Sequence, residues 1–301
     1  MSSEPPSPPT SPRRPNPSGW LAIPAPLARL FKKFPLLTYP PNALPVRSPS
    51  TRDVATLYVF ISDQDALEGL PSFNPSCLKW QAFLKLAGVD FRVVPSTNHA
   101  SPTGALPFLI PPSSPTNSTT HTPVPSNKLE QYAAEKGASK VPDVPSLKLE
   151  AYESLLDYRI RNAWLYSLYL SPSNSTLLSH LYVTPFSRSQ VVRTTILHQL
   201  RNAAEAEILR SLGAPTVDSR VLYEGAREAL EALSTVLGSE SWFFEVEEPS
   251  LFDATVFAYT HLLLDERLAW VDQSLTEMVK EFPNLVEHRD RILQRCWGSK
   301  G

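Results

Sequence analysis

The residue best placed to do chemistry is Cys77, in the run Asn74-Pro75-Ser76-Cys77. Pro75 is preset for the first turn of a helix, so the thiol falls in that helix's opening turn, where the backbone field lowers a thiol pKa. Such a thiol suits a redox centre or a transfer nucleophile. Against that, the run lacks the other cysteine of a Cys-x-x-Cys pair, and Cys77 shares a helical face with Trp80, Leu84 and Ala87, the setting of a buried structural cysteine. Ser76 has no histidine near it in sequence, and a capping role accounts for it. The six histidines (His99, His121, His180, His198, His261, His288) include no pair at i, i+3 or i, i+4, so no zinc site is written locally. His261, within Tyr259-Thr-His-Leu-Leu-Leu264, reads as a core or interface histidine. No Gly-rich phosphate loop occurs, and neither cofactor nor metal is expected. The acidic run Glu245, Glu247, Glu248 reads as a solvated turn or as a docking patch for basic segments, beside a core-like Trp242-Phe-Phe244.

The chain that must position these groups has 301 residues, 42% hydrophobic and 19% charged, enough to bury a substantial core. Its outlier is 31 Pro against 10 Gly, with fourteen prolines in residues 1–50 and seven between Pro102 and Pro125. Residues 1–50 carry six Lys/Arg and one Glu, leaving the other 251 residues with 22 basic and 29 acidic side chains, a net −7. A body so acidic is a poor polyanion binder, the basic residues of the arm are too scattered to form a nucleic-acid patch, and nucleic acid is not an expected partner. Cys77 and Cys296, 219 residues apart, suit a reducing compartment better than a disulfide framework. No run of about 18 apolar residues is present, the N-terminus has no signal-peptide core, and Arg295–Gly301 offers no hydrophobic anchor; the expectation is a soluble or peripheral protein.

Composition divides the chain into a proline-rich arm over 1–50, folded units over 51–137 and 145–298, and a Pro/Ser/Thr loop over 111–125. Residues 1–19 are expected to be disordered. Over 20–46 the filler between prolines turns apolar, and Leu27, Leu30, Phe31 and Phe34 make one short helical face preceded by Trp20 and flanked by Arg29, Lys32 and Lys33. That arm either packs on its own domain or docks on a partner or a membrane surface.

Thr56-Leu-Tyr-Val-Phe-Ile61 reads as a buried strand and Asp90–Pro95 as a second, with the Pro75 helix between them ended by Gly88; the brevity of the connections implies a parallel βαβ pair. Leu106–Ile110 is a short third strand whose Pro107 implies an edge, a bulge or a cis peptide. Ser126 is placed to cap a helix running through Tyr132. From Pro145 every periodic segment is helical: 146–170, 187–212, 218–237, 250–265 and 271–296. Ser250 and Asp253 can satisfy each other's backbone N–H groups, a capping box with Asp in place of Glu; Asp143, Ser146 and Asp218 are further caps, and Gly238 is a stop.

A small α/β unit followed by a larger all-α unit resembles the glutathione-transferase fold, a thioredoxin-like domain and then a helical domain. The resemblance covers about 57–297. It rests on Leu106-Pro107 at the cis-proline position, Ser126-x-x-Leu129-x-x-Tyr132 at the third helix, and the Ser250-x-x-Asp253 box in the second half. Within that fold the chain is similar to the metaxin family. The residues that carry this are Pro75-Ser-Cys-Leu-Lys-Trp80, Phe83–Val89, Ser101–Phe108, Pro249–Phe257 and Phe282–Val286 with Arg291-Ile292. It most resembles the smaller metaxin-like subunits of the fungal mitochondrial sorting and assembly machinery, to which the arm Ile23–Pro35 adds.

Membership of that family implies a non-catalytic, peripheral protein on the cytosolic face of the mitochondrial outer membrane. Its implied partners are a membrane-embedded β-barrel assembly subunit, a larger metaxin-like subunit, the outer-membrane surface, and β-barrel precursors whose β-signal it engages. The alternative is a glutathione-dependent transferase or thiol oxidoreductase using Cys77. By the same resemblance the transferase nucleophile position is Asn74, which cannot be ionised to attack, and the acidic partner expected before Ser126 is Pro125.

Overall fold

The computed structural model describes residues 53–112, 122–139, 142 and 146–298. The arm, with Trp20, Leu27, Leu30, Phe31 and Phe34, lies outside the described residues, as do Asp143 and residues 113–121 of the proline-rich loop.

Ala55–Val59 (β1) is buried almost throughout and pairs in parallel with Phe91–Pro95 (β2), Ala55 opposite Phe91. After β1 comes a short helix, Asp63–Leu67 (α1), capped by the Ser62 side chain, and then the crossover helix Pro75–Leu86 (α2). The α2 helix buries residues on both faces, including Cys77, Leu78, Trp80, Phe83 and Leu84, because the sheet covers one side and the helical half the other. Burying a large apolar side chain stabilises by about 1.5–3 kcal/mol, so these positions hold the two halves together. Gly88 follows α2 in the left-handed region (φ +69°), where glycine pays no Cβ penalty. Close approach fixes another glycine: a Cβ on Gly137 would lie 2.6 Å from the Ala133 carbonyl oxygen and closer still to that of Ala87.

The Leu106–Pro107 peptide bond is cis, and the strand after it is Phe108–Ile110 (β3). This strand is not an edge. It lies antiparallel to β1 and is covered on its other side by Val124–Pro125 (β4), giving the order β2-β1-β3-β4. Residues 124–125, read from sequence as loop, are therefore strand. Ser126 is not the cap of the next helix: Ser126–Lys128 form a 3₁₀ turn, and Leu129–Lys136 (α3) starts from Lys128 with no side-chain cap.

The helical half opens with a continuous helical run over 146–170 (α4), widened by π turns at Leu155–Ile160 and Tyr166–Leu170. Ser175–Tyr182 (α5), Gln190–Leu212 (α6), Ser219–Leu237 (α7), Leu251–Leu264 (α8), Ser274–Lys280 (α9) and Pro283–Trp297 (α10) follow. The α5 helix was not legible as a periodic segment. The single helix expected over 271–296 is two, because Pro283 has no N–H to offer an interior turn and instead occupies the first position of α10. Asp218 caps α7 through the Arg220 N–H, and Gly238 closes it.

The α8 helix is the axis of this half, buried from Phe252 to Leu263 and packed on α2. Its capping box is present, and the fully buried Asp253 does more than cap. Its Oδ2 accepts from the Ser250 N–H (2.8 Å) and hydroxyl (2.7 Å), while Oδ1 accepts from the Phe243 N–H (2.9 Å) and His288 Nε2 (2.9 Å). One carboxylate thus ties together the start of α8, the turn before it and α10.

The last helix returns to the first half. Trp297 Nε1 donates to the Gly69 carbonyl at 2.9 Å, and the Lys85 ammonium donates to the Cys296 carbonyl at 3.1 Å while lying 5.1 Å from the Trp297 ring centre.

Candidate functional site

If this chain performed thiol chemistry, it would be at the N-terminus of α2, so the surroundings of Asn74 and Cys77 decide what that position can do. The approach is stapled by hydrogen bonds. Ser72 donates its N–H to Gln81 Oε1 (2.8 Å) and its hydroxyl to the Phe60 carbonyl (2.5 Å), and its Oγ accepts the Asn74 N–H (3.2 Å). Gln81 Nε2 donates onward to the Leu70 carbonyl at 2.9 Å. The loop 70–74 is therefore held in one conformation by two buried polar side chains.

Both ends of the Asn74 amide are engaged. Oδ1 accepts the Cys77 N–H at 3.2 Å, the N-cap bond of α2, and Nδ2 donates to the Tyr182 hydroxyl at 3.0 Å. Tyr182 belongs to α5 and is buried in an aromatic box, edge-on to Phe60 and Phe73 (ring centres 5.3 Å from each) and 5.9 Å from Tyr169. Burial holds its phenol well above the usual tyrosine range.

Cys77 has no solvent exposure, and burial pushes its thiol up to about 12. The opening turn of a helix lowers a thiol pKa only where the thiolate retains some solvation; here desolvation wins. Cys296, half-buried on α10, is likewise raised to about 12, chiefly by burial. Ser76 is exposed, and no histidine hydrogen-bonds to it among the described residues.

The histidines stay apart. His261 is buried and stacked on Phe257 (ring centres 5.1 Å apart); its Nδ1 accepts from Arg289 Nε at 3.2 Å, and its Nε2 lies 3.9 Å from Asp265 Oδ2. Burial, followed by the Arg289 charge, pulls its pKa down to about 4. His288 is part of the Asp253 cluster. Among the described residues no three His, Cys, Asp or Glu side chains converge as metal ligands do. In the acidic run Glu245, Glu247 and Glu248 are exposed, and Glu248 pairs with Arg295.

Two polar centres, the buried Asn174 and the partly exposed Asp272, had no sequence signal. Asn174 Oδ1 accepts the N–H groups of Val271 and Asp272 (3.1 Å each) while its Nδ2 donates to the Ser167 carbonyl at 2.9 Å. Asp272 accepts from the Tyr223 and Ser274 hydroxyls at 3.0 and 2.6 Å. The partners lie 49 to 98 residues apart in all but the Ser167 and Ser274 cases, beyond the reach of any local motif.

Comparison with known proteins places this geometry. The glutathione S-transferase N-terminal domain model matches residues 75–174 and the glutathione S-transferase C-terminal domain model residues 226–292. Metaxin-1 of Macaca fascicularis is 27% identical over 207 residues, 66% of this chain and 63% of that protein. Metaxin-1 of Homo sapiens is 26% identical over 207 residues, covering 66% and 43%. The chain thus spans less than two thirds of the length of these relatives. Among solved structures, a glutathione S-transferase of Ceriporiopsis subvermispora in complex with glutathione aligns with a TM-score of 0.53 at 11% identity, over 83% of this chain and 100% of that one. That likeness is one of fold: a thioredoxin-like α/β half followed by a helical half.

Proposed function

We propose, on the premise that this chain belongs to the metaxin branch of the glutathione-transferase-like family, that it is a non-catalytic peripheral subunit of the mitochondrial outer-membrane sorting and assembly machinery. In this reading it is the smaller metaxin-like subunit. It sits on the cytosolic face beside the membrane-embedded β-barrel subunit and a larger metaxin-like chain, receives β-barrel precursors through their β-signal, and promotes their insertion. The arm over 20–46, with Trp20, Leu27, Leu30, Phe31 and Phe34, supplies the docking contact.

The observation that carries this reading is the use made of the thiol position. Asn74 is both helix cap and strut to Tyr182, and Cys77, in the opening turn of the same helix, has no solvent exposure. A scaffold whose reactive corner is packed shut has surfaces to offer rather than chemistry. Peripheral attachment agrees with the described helices, none of which is long and apolar enough to cross a membrane.

The test is a mild-detergent purification of the tagged chain from its own mitochondria. Recovery of an integral outer-membrane β-barrel with a second metaxin-like chain supports the proposal, and deleting residues 20–46 should abolish that recovery while leaving the rest folded. Recovery of the chain alone refutes it. The rival reading, a glutathione-dependent enzyme using Cys77, draws on the fold shared with a glutathione-bound transferase. It requires retention on immobilised glutathione and turnover that Cys77→Ser removes.

A further inference from the structure

Beside the Asn74 corner, a groove of about 870 Å³ opens between the two halves, at the carboxyl ends of the parallel strands β1 and β2. That is where open α/β sheets most often receive a ligand. Its lining includes none of Asn74, Cys77, Pro107 or Ser126, and it meets that corner through Phe60 and Phe73, the two rings packed on Tyr182.

The groove joins two chemistries. Phe60 and Phe73 come from the first half and Leu177 from α5, and the rim carries Phe186, 52% exposed, and Val271, 67% exposed. Large apolar side chains left that open beside a concavity mark a surface built to be covered. The same lining has an acidic wall. Asp63, Asp65 and Asp265 line it with a single counter-charge, Arg267. The guanidinium of Arg267 is committed to Asp265, with Nη2 2.7 Å from Oδ2 and Nε 3.0 Å from Oδ1, and its Nη1 lies 3.8 Å from Asp65. Three carboxylates against one cation leave the wall at −2, and Asp63 has no ion-pair partner among the described residues. Such a wall repels anionic lipid headgroups and nucleic-acid phosphates and attracts a cation presented next to apolar side chains.

We propose that this groove docks a short extended peptide segment in which a Lys or Arg stands beside an aromatic or branched aliphatic side chain, the apolar group entering over Phe60 and Phe73 and the cation meeting Asp63 and Asp65. The proposal deepens the assembly-subunit reading and rests on it for the source of the segment, an incoming precursor chain.

The experiment uses the full-length chain and a fluorescein-labelled synthetic octapeptide alternating Lys with Phe and Leu, read by fluorescence anisotropy. Saturable binding is expected, weakened about tenfold when the Lys residues become Glu or the Phe and Leu residues become Ser. Asp63→Lys and Phe186→Ser, both at exposed positions, should each weaken it several-fold with unchanged thermal melting. No binding, equal binding of the Glu peptide, or full binding by both variants overturns the proposal. So does displacement of the peptide by vesicles of anionic lipid, which would make the face a membrane surface. The two readings fail separately. If wild-type chain recovers no β-barrel partner from mitochondria, the functional reading falls. If it does recover one and neither groove variant weakens the peptide, the groove falls.

Discussion

The Asn74 side chain donates to the Tyr182 hydroxyl at 3.0 Å, across 108 residues of sequence and between the two halves of the fold. The same amide caps α2 through the Cys77 N–H. A single polar side chain therefore sets where the crossover helix begins and how α5 sits on it, in a position that a thiol-using relative would reserve for a nucleophile.

Asn74→Ala should destabilise by about 2–3 kcal/mol: about 1 for the lost cap and the rest for a buried Tyr182 hydroxyl left without its donor. Tyr182→Phe removes this bond and the one the hydroxyl shares with Tyr169, and leaves Nδ2 unpartnered, a cost of about 1–3 kcal/mol. The double variant should lose less than the sum. Urea unfolding of the four proteins gives the coupling, and strict additivity would show that the bond contributes nothing.

Cys77 predicts a loss of stability at high pH. Its folded thiol titrates at about 12, against 9.0 for an ordinary cysteine. The unfolded chain therefore releases a proton between pH 9 and 12 that the folded chain keeps, so stability is full below pH 9 and falls as pH rises through that window. Cys77→Ala removes this group while leaving tyrosines, lysines and Cys296 to titrate, and its stability should decline less steeply than that of the wild type above pH 9. Parallel curves would mean that Cys77 is not sealed. In the wild type a thiol reagent at pH 8 should label Cys77 only at the rate of unfolding.

What sequence could reveal follows from how local each signal is. The α7 and α8 helices were legible because Asp218, Gly238 and the Ser250–Asp253 box stand at their ends and the apolar positions of α7 repeat with helical spacing. The parallel β1–β2 pair followed from the length of the α2 crossover. The two-residue strand β4 and the five-residue helix α1 have no period to read. Ser126 looked like a cap because its spacing to Leu129 and Tyr132 is right, yet the chain takes a 3₁₀ turn there first. The break at Pro283 was available from the missing N–H and was overridden by continuous apolar periodicity. The strut to Tyr182 and the extra partners of Asp253 were not available at all, since they join residues brought together only by the fold.

At Asp253 the capping box understates the cost of substitution. Ser250→Ala should lose about 1–2 kcal/mol, the ordinary price of a cap. Asp253→Ala leaves the Phe243 N–H, the Ser250 N–H and His288 Nε2 buried without an acceptor, and a loss of about 3–5 kcal/mol is expected. Asp253→Asn should recover little of it, because an amide turned to accept on one side presents its own N–H groups to a donor on the other. Chemical denaturation of the three variants checks the order, and equal losses for Ser250→Ala and Asp253→Ala would reduce the residue to its cap.

His261 works in the acid range, with the sign set by its depressed pKa. Burial first and Arg289 second hold it at about 4, outweighing the pull of Asp265, whereas an unfolded histidine titrates near 6.5. Between those values the unfolded chain takes up a proton that the folded chain refuses. Stability is therefore full above pH 6.5 and is lost as pH falls toward 4, by at most about 3 kcal/mol. His261→Gln keeps an acceptor for Arg289 Nε and cannot titrate. Denaturation midpoints taken stepwise from pH 7 to pH 4 should fall less steeply in that variant, and a slope equal to the wild type's would mean that acid acts through other groups.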